Sequence, residues 1–117
     1  MENLPPQALD HVADYFQALS EPTRLQILNL LRHGEQNVSE LAQTCGCSVA
    51  NVSRHLSLLT RRGLVQRESR GTAVYYQIAD PSVYRLCDLV CDSIARQLNS
   101  AAQGQQLFVR DAHEGKE

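Results

Sequence analysis

Tryptophan is absent from this chain of 117 residues, methionine occurs once, and aromatic residues make up only 5%. A core of stacked rings is thereby excluded, and the interior is expected to come from Leu, Ile and Val. No run approaches the ~18 apolar residues of a membrane span. The opening MENLPPQALDHVADYF has acidic residues where a secretory leader needs a basic start and an apolar stretch. The chain therefore reads as cytoplasmic, with no membrane partner. Internal repeats, low-complexity segments, a Gly-rich phosphate loop and any nucleophile set beside a base are all missing, as is a carboxylate constellation. Nor is there a Cys-x-x-Cys at a helix start inside a strand-helix-strand unit, the arrangement of a thiol oxidoreductase. An enzyme is not expected.

A large charge of either sign is missing too. The formal net charge is -2, a sum that argues against nucleic acid until its distribution is read. Between Arg54 and Arg70 stand five arginines (Arg54, Arg61, Arg62, Arg67, Arg70) and one acid, Glu68, leaving six basic and twelve acidic residues for the remainder. An acidic body with one basic strip suits a DNA contact surface.

With 43% hydrophobic and 21% charged residues, the chain is expected to form one domain over residues 1–102, followed by a patternless, frayed tail over 103–117. Apolar spacing of about 3.6 residues puts Leu9, Val12, Ala13, Phe16 and Leu19 on one face of a first helix ending by Ser20. A second helix follows in SEPTRLQILNLLRHG, with Ser20 as cap candidate, Pro22 in the first turn, Leu25, Leu28 and Leu31 on the apolar side, and Gly34 as stop. Asn37 and Glu40 have capping-box spacing for a short third helix that Gly46 ends. Ser48 then caps a fourth, in which Val49, Val52, Leu56 and Leu59 draw a buried stripe and Asn51, Arg54, His55 and Arg62 face outward.

The period switches to two in GLVQRESRGTAVYYQIAD, which predicts strands over Leu64–Arg67 and Ala73–Ile78 with a turn at Arg70-Gly71. Asp80-Pro81 opens a long last helix whose apolar positions are Val83, Leu86, Val90, Ile94 and Leu98. The predicted fold is mainly α with a small β-hairpin wing. A tight helix pair, the second helix polar and basic on its outer side, followed by a hairpin with an arginine at its tip, is a winged helix-turn-helix. A solvated face would also be polar, but the local charge excess favours DNA.

The segments LSEPTRLQILNLL, VSELAQ, SVANVSRHLSLLTRRGLV and RGTAVYYQIAD, in that order over roughly residues 15–80, resemble the ArsR/SmtB family of bacterial metal- and stress-sensing repressors. The resemblance implies a homodimer paired through its first and last helices, which presents two reading helices to a palindromic double-stranded operator. An inducer bound elsewhere would release the DNA. Carried over by position, Ser48, Asn51, Ser53, Arg54 and His55 would lie at the groove, Arg70 on the wing, and Arg61, Arg62 and Arg67 at the phosphate backbone.

Four cysteines in a reducing compartment are core residues, ligands or reactive thiols rather than a disulfide framework. The family's Cys-Val-Cys position reads Asn37-Val38-Ser39 here, its last-helix zinc positions read Asp80, Ser82, Ser93 and Arg96, and its second-helix persulfide cysteine corresponds to Asn29. Cys45 and Cys47 fall where aliphatic residues usually pack, and a pair one residue apart is a weak chelator. Cys87 and Cys91 are four apart, hence on one face of the last helix. With a third ligand they could bind As(III), Sb(III) or Cd(II) as an inducer, or they could be oxidised together in a redox or reactive-sulfur sensor. Packing a dimer interface is the plainer role open to them. A winged helix used only for protein contacts is a further alternative, distinguished by its indifference to salt.

Overall fold

In the computed structural model, which describes residues 1–98, the elements are α1 (Pro6–Ala18), α2 (Pro22–Leu30) with a 3-10 turn at Leu31–His33, β1 (Gln36–Asn37), α3 (Val38–Cys45), α4 (Val49–Arg61), β2 (Val65–Arg70), β3 (Ala73–Ile78) and α5 (Ser82–Leu98). They fall into two compact units, one ending at Asp80 and the other beginning at Pro81. The domain end expected at residue 102 and the tail expected over 103–117 lie outside the described residues.

Caps set the helix boundaries of the first unit. The Ser20 hydroxyl donates backward to the Gln17 carbonyl at 2.7 Å, closing α1, so it is not the cap of α2. Glu21 takes that role, its carboxylate accepting the Arg24 N–H at 3.1 Å, with Pro22 following at the first helical position. The capping box forms as its spacing predicts: Asn37 Oδ1 accepts from the Glu40 N–H at 2.8 Å, and Glu40 Oε1 from the Asn37 N–H at 2.9 Å. Gly46 ends α3 in the left-handed region at φ 70, which lets the Cys47 N–H reach the Ala42 carbonyl at 3.0 Å. Ser48 Oγ accepts the Asn51 N–H at 3.0 Å and starts α4 only two residues later.

Burial fixes which face each helix turns inward. Ile27, Leu41, Val52, Leu56 and Leu59 are wholly buried, with Ala18, Leu28, Leu31, Ala42, Leu64 and Val65 nearly so. Each large side chain so buried contributes about 1.5–3 kcal/mol, more than the ~1 kcal/mol of a cap. Packing therefore chooses the face, and caps choose the ends. Two stripe assignments are corrected: Leu25 is 40% exposed while Ile27 takes the inner position, and Val49, the first residue of α4, is 48% exposed.

The sheet is antiparallel in the order β1-β3-β2, with Val65 opposite Ile78 and Arg70 opposite Ala73. The hairpin strand runs through Arg70 rather than stopping at Arg67, and the turn falls at Gly71-Thr72. The third strand, pairing Gln36 with Tyr76 and Asn37 with Tyr75, has no counterpart in the sequence pattern. In the second unit, α5 exposes Leu89 at 67% and Val90 at 46%. No described helix is long and apolar enough to cross a membrane.

Candidate nucleic-acid interface

The pair α3–α4 and the β2–β3 hairpin form a winged helix-turn-helix, and the outer face of α4 is where polar side chains gather. Ser53 and Arg54 are exposed there and Asn51 is half-buried. Arg54 Nη2 donates to Asn51 Oδ1 at 2.6 Å, so an amide and a guanidinium stand together one turn apart with further donors unused. Ser48, although its oxygen already caps the helix, retains its O–H as a donor. Side chains of these types read base edges and phosphates in a major groove.

His55 is not on that face. It is 7% exposed, with Nδ1 3.1 Å from Arg24 Nη1 and Nε2 3.8 Å from the Glu21 carboxylate. The outward placement is corrected for a reason visible in the spacing. His55 lies three residues after Val52 and four before Leu59, squarely on the buried stripe. Arg24 also donates to the carbonyls of Ala18 at 2.8 Å and Gln17 at 3.1 Å, so one guanidinium ties α1, α2 and α4 together. An acceptor at Nδ1 requires the proton on Nε2, facing Glu21. Burial pushes the His55 pKa down, Glu21 opposes this, and the cations Arg24 and Arg54 lower it further.

Arginines of the basic strip divide into two groups. Arg61 and Arg67 are exposed, and among the described residues neither is ion-paired. Arg62, expected to face outward, turns back toward α1: Nη2 lies 4.0 Å from Asp14 Oδ2, and Nε is buried without a hydrogen-bond partner. Arg70 is clamped. Its Nη1 and Nη2 donate to the two oxygens of Glu35 at 2.6 and 2.5 Å, Nη2 donates also to Glu68 at 3.1 Å, and the guanidinium lies 4.8 Å above the Tyr75 ring. The Arg70 bond holds the Glu35 carboxyl below the usual carboxylate range. Glu35 drew no notice in the sequence because it is distant along the chain and no motif includes it.

All four cysteines are thiols rather than disulfides, and all are half-buried. Cys45 ends α3, and the Cys47 thiol donates to its carbonyl at 3.6 Å. Burial, reinforced by the neighbouring Cys47, pushes the Cys45 thiol up, which lowers its thiolate fraction and its value as a soft-metal ligand. Cys87 and Cys91 lie one turn apart on α5. Among the described residues no group of three or more His, Cys, Asp and Glu side chains is placed to hold a metal.

Residues 21–67 match the model of the bacterial regulatory proteins of the arsR family. The HTH-type transcriptional regulator Rv0324 of Mycobacterium tuberculosis is 43% identical over 82 residues, 70% of this chain and 36% of its own length. A Streptomyces lividans protein named "Probable mercury resistance operon repressor" is 38% identical over 81 residues, 69% of this chain and 62% of its own. The chain thus spans only part of these relatives. Among solved structures, the homodimeric winged helix-turn-helix DNA-binding domain Mb0332 from Mycobacterium bovis superposes with a TM-score of 0.72 at 35% identity, covering 87% of this chain and 97% of that one. Fold and family match together place the chain among the bacterial regulatory proteins with a winged helix-turn-helix. The chain belongs to the ArsR family.

Proposed function

We propose that the chain is a homodimeric repressor that reads a palindromic operator with the outer face of α4 and is released by a soft ion captured by Cys87 and Cys91. The observation that supports the DNA contact is the Asn51–Arg54 pair, joined at 2.6 Å on the outer side of a capped helix. Asn51, Ser53 and Arg54 contact bases, Ser48 and the unpaired Arg61 and Arg67 contact phosphate, and Val49, 48% exposed in the first turn, offers an apolar contact to a thymine methyl. Arg62 approaches the backbone only if it leaves Asp14. His55 acts from within, holding α4 against Arg24.

Large apolar side chains left uncovered on α1 (Leu9, Phe16) and on α5 (Leu89, Val90) are what a second copy would cover. The inducer reading is supported by two thiols one turn apart on a half-buried helix face. They supply two ligands for arsenite, antimonite or cadmium, and a third comes from outside the described residues of one chain. A coupling of ~1–3 kcal/mol between that site and DNA would lower operator occupancy several- to a hundredfold. The same two half-buried thiols, one turn apart, support a second reading, in which an oxidant or persulfide acts on the pair.

Anisotropy of the reduced protein on its upstream DNA, titrated anaerobically with arsenite, cadmium and a persulfide donor, tests both readings beside a Cys87→Ser, Cys91→Ser variant. Release by an ion in the native protein alone supports the metal sensor, and release only by the sulfur donor supports the second reading. No release by any of them returns these cysteines to packing. Arg54→Ala is expected to weaken binding at least tenfold, about 1–3 kcal/mol, with the melting temperature unchanged; unchanged affinity would remove Arg54 from the interface.

A further inference from the structure

We propose that Arg70 is a positioning residue of the wing rather than a phosphate contact, and that its clamp to Glu35 sets the hairpin for DNA. This rests on the DNA-binding reading above. Arg70 is the last residue of β2, opposite Ala73, and Glu35 stands immediately before β1, the strand that pairs with β3. Asn37, two residues after Glu35, caps α3. The pair therefore joins the far end of the hairpin to the segment that enters the helix-turn-helix.

The geometry leaves little for DNA. Both Nη atoms are engaged by Glu35 in a two-pronged bond at 2.5 and 2.6 Å, which fixes direction as well as distance. One face of the guanidinium lies 4.8 Å above the Tyr75 ring, and Glu68 adds a second carboxylate at 3.1 Å. Two anions around one cation leave this corner of the wing with a net negative charge. A phosphate would have to displace Glu35 and approach Glu68, and both steps are opposed by charge. Arg67 and Arg61, unpaired among the described residues, are better placed to neutralise DNA.

The test compares the full chain with Arg70→Gln, Glu35→Gln, the double variant, the charge swap Glu35→Arg with Arg70→Glu, and Arg67→Gln. Operator affinity is followed against salt by anisotropy, and amide exchange of the DNA-free protein is followed at Tyr75 and Tyr76. A positioning role predicts that either single Gln variant loses several-fold in affinity at every salt with the wild-type slope. The double variant is then no weaker than either single one, and the swap recovers most of the loss. Only Arg67→Gln flattens the slope, by about 0.9 for one phosphate. Faster exchange at Tyr75 and Tyr76 is expected in both Gln variants. The proposal is overturned if Arg70→Gln itself flattens the slope by about 0.9 while Glu35→Gln tightens binding. Absence of salt-dependent binding by the wild-type chain overturns the DNA-binding reading instead, and the positioning role falls with it even where the exchange difference shows the clamp to be intact.

Discussion

His55 is a polar residue buried for a structural purpose, and its titration should be visible in stability. Burial, with Arg24 and Arg54 adding to it, lowers its proton affinity below the ordinary 6.5. The unfolded chain then takes up the proton first as pH falls. The contribution of this group is present in full above about pH 6.5 and is lost as pH drops toward the folded-state value. Protonation also puts an N–H on Nδ1 against the Arg24 donor, breaking the bond at 3.1 Å. Urea midpoints should therefore fall between about pH 7.5 and about pH 5, and His55→Gln should flatten that fall. Parallel pH profiles for the two proteins would assign the acid sensitivity elsewhere. At this scale the sequence was half legible. Asn51 and Arg54 stand on the outer side of α4 as their spacing predicts, whereas His55, expected outside for its polarity, lies on the buried stripe that its spacing gives. The partners Arg24 and Glu35 were not legible, because contacts across 31 and 35 residues leave no local pattern.

Among the elements, the turn between α3 and α4 is the one whose chemistry is most local. Gly46 adopts φ 70, and a Cβ built there meets no atom within 4 Å, so replacement by Ala tests backbone strain alone. Gly46→Ala should cost about 1–2 kcal/mol, read as a lower urea midpoint. Weaker operator binding should accompany it, because the turn sets the angle of α4 to α3. A loss near zero would mean that the turn relaxes to another form. Signals of this kind, namely the Asn37–Glu40 capping box, the Ser48 cap and Gly46, act within a few residues, and the sequence displays them in full. Strand β1 escaped because two residues have no period, and the extension of β2 through Arg70 escaped because Glu68, Ser69 and Arg70 are polar on both faces. Pairing with β3 defines both.

For the whole molecule, the exposed apolar residues of α5 decide the next experiment. Leu89, at 67% exposed, projects more apolar surface than a helix of a monomer keeps without reason when Val90 lies beside it. Under the proposed homodimeric reading, Leu89→Lys should shift the chain from dimer to monomer in light scattering and weaken operator binding strongly, since each half-site would then bind alone. A dimer that persists at equal affinity would place the interface on another surface.

What the sequence alone determined is what depends on neighbours along the chain: the Asn37–Glu40 capping box, the Ser48 cap, the Gly46 stop, the burial of Val52, Leu56 and Leu59 on α4, the strand Ala73–Ile78 and the class of protein that their order defines. Only the tertiary structure decided which arginines are held in ion pairs. Glu35 takes Arg70, Asp14 draws Arg62 inward, and Arg61 and Arg67 are left unpaired among the described residues. Charge is written in the sequence, but which charges meet depends on folding, since ion pairs form across loops whose length the sequence pattern does not encode.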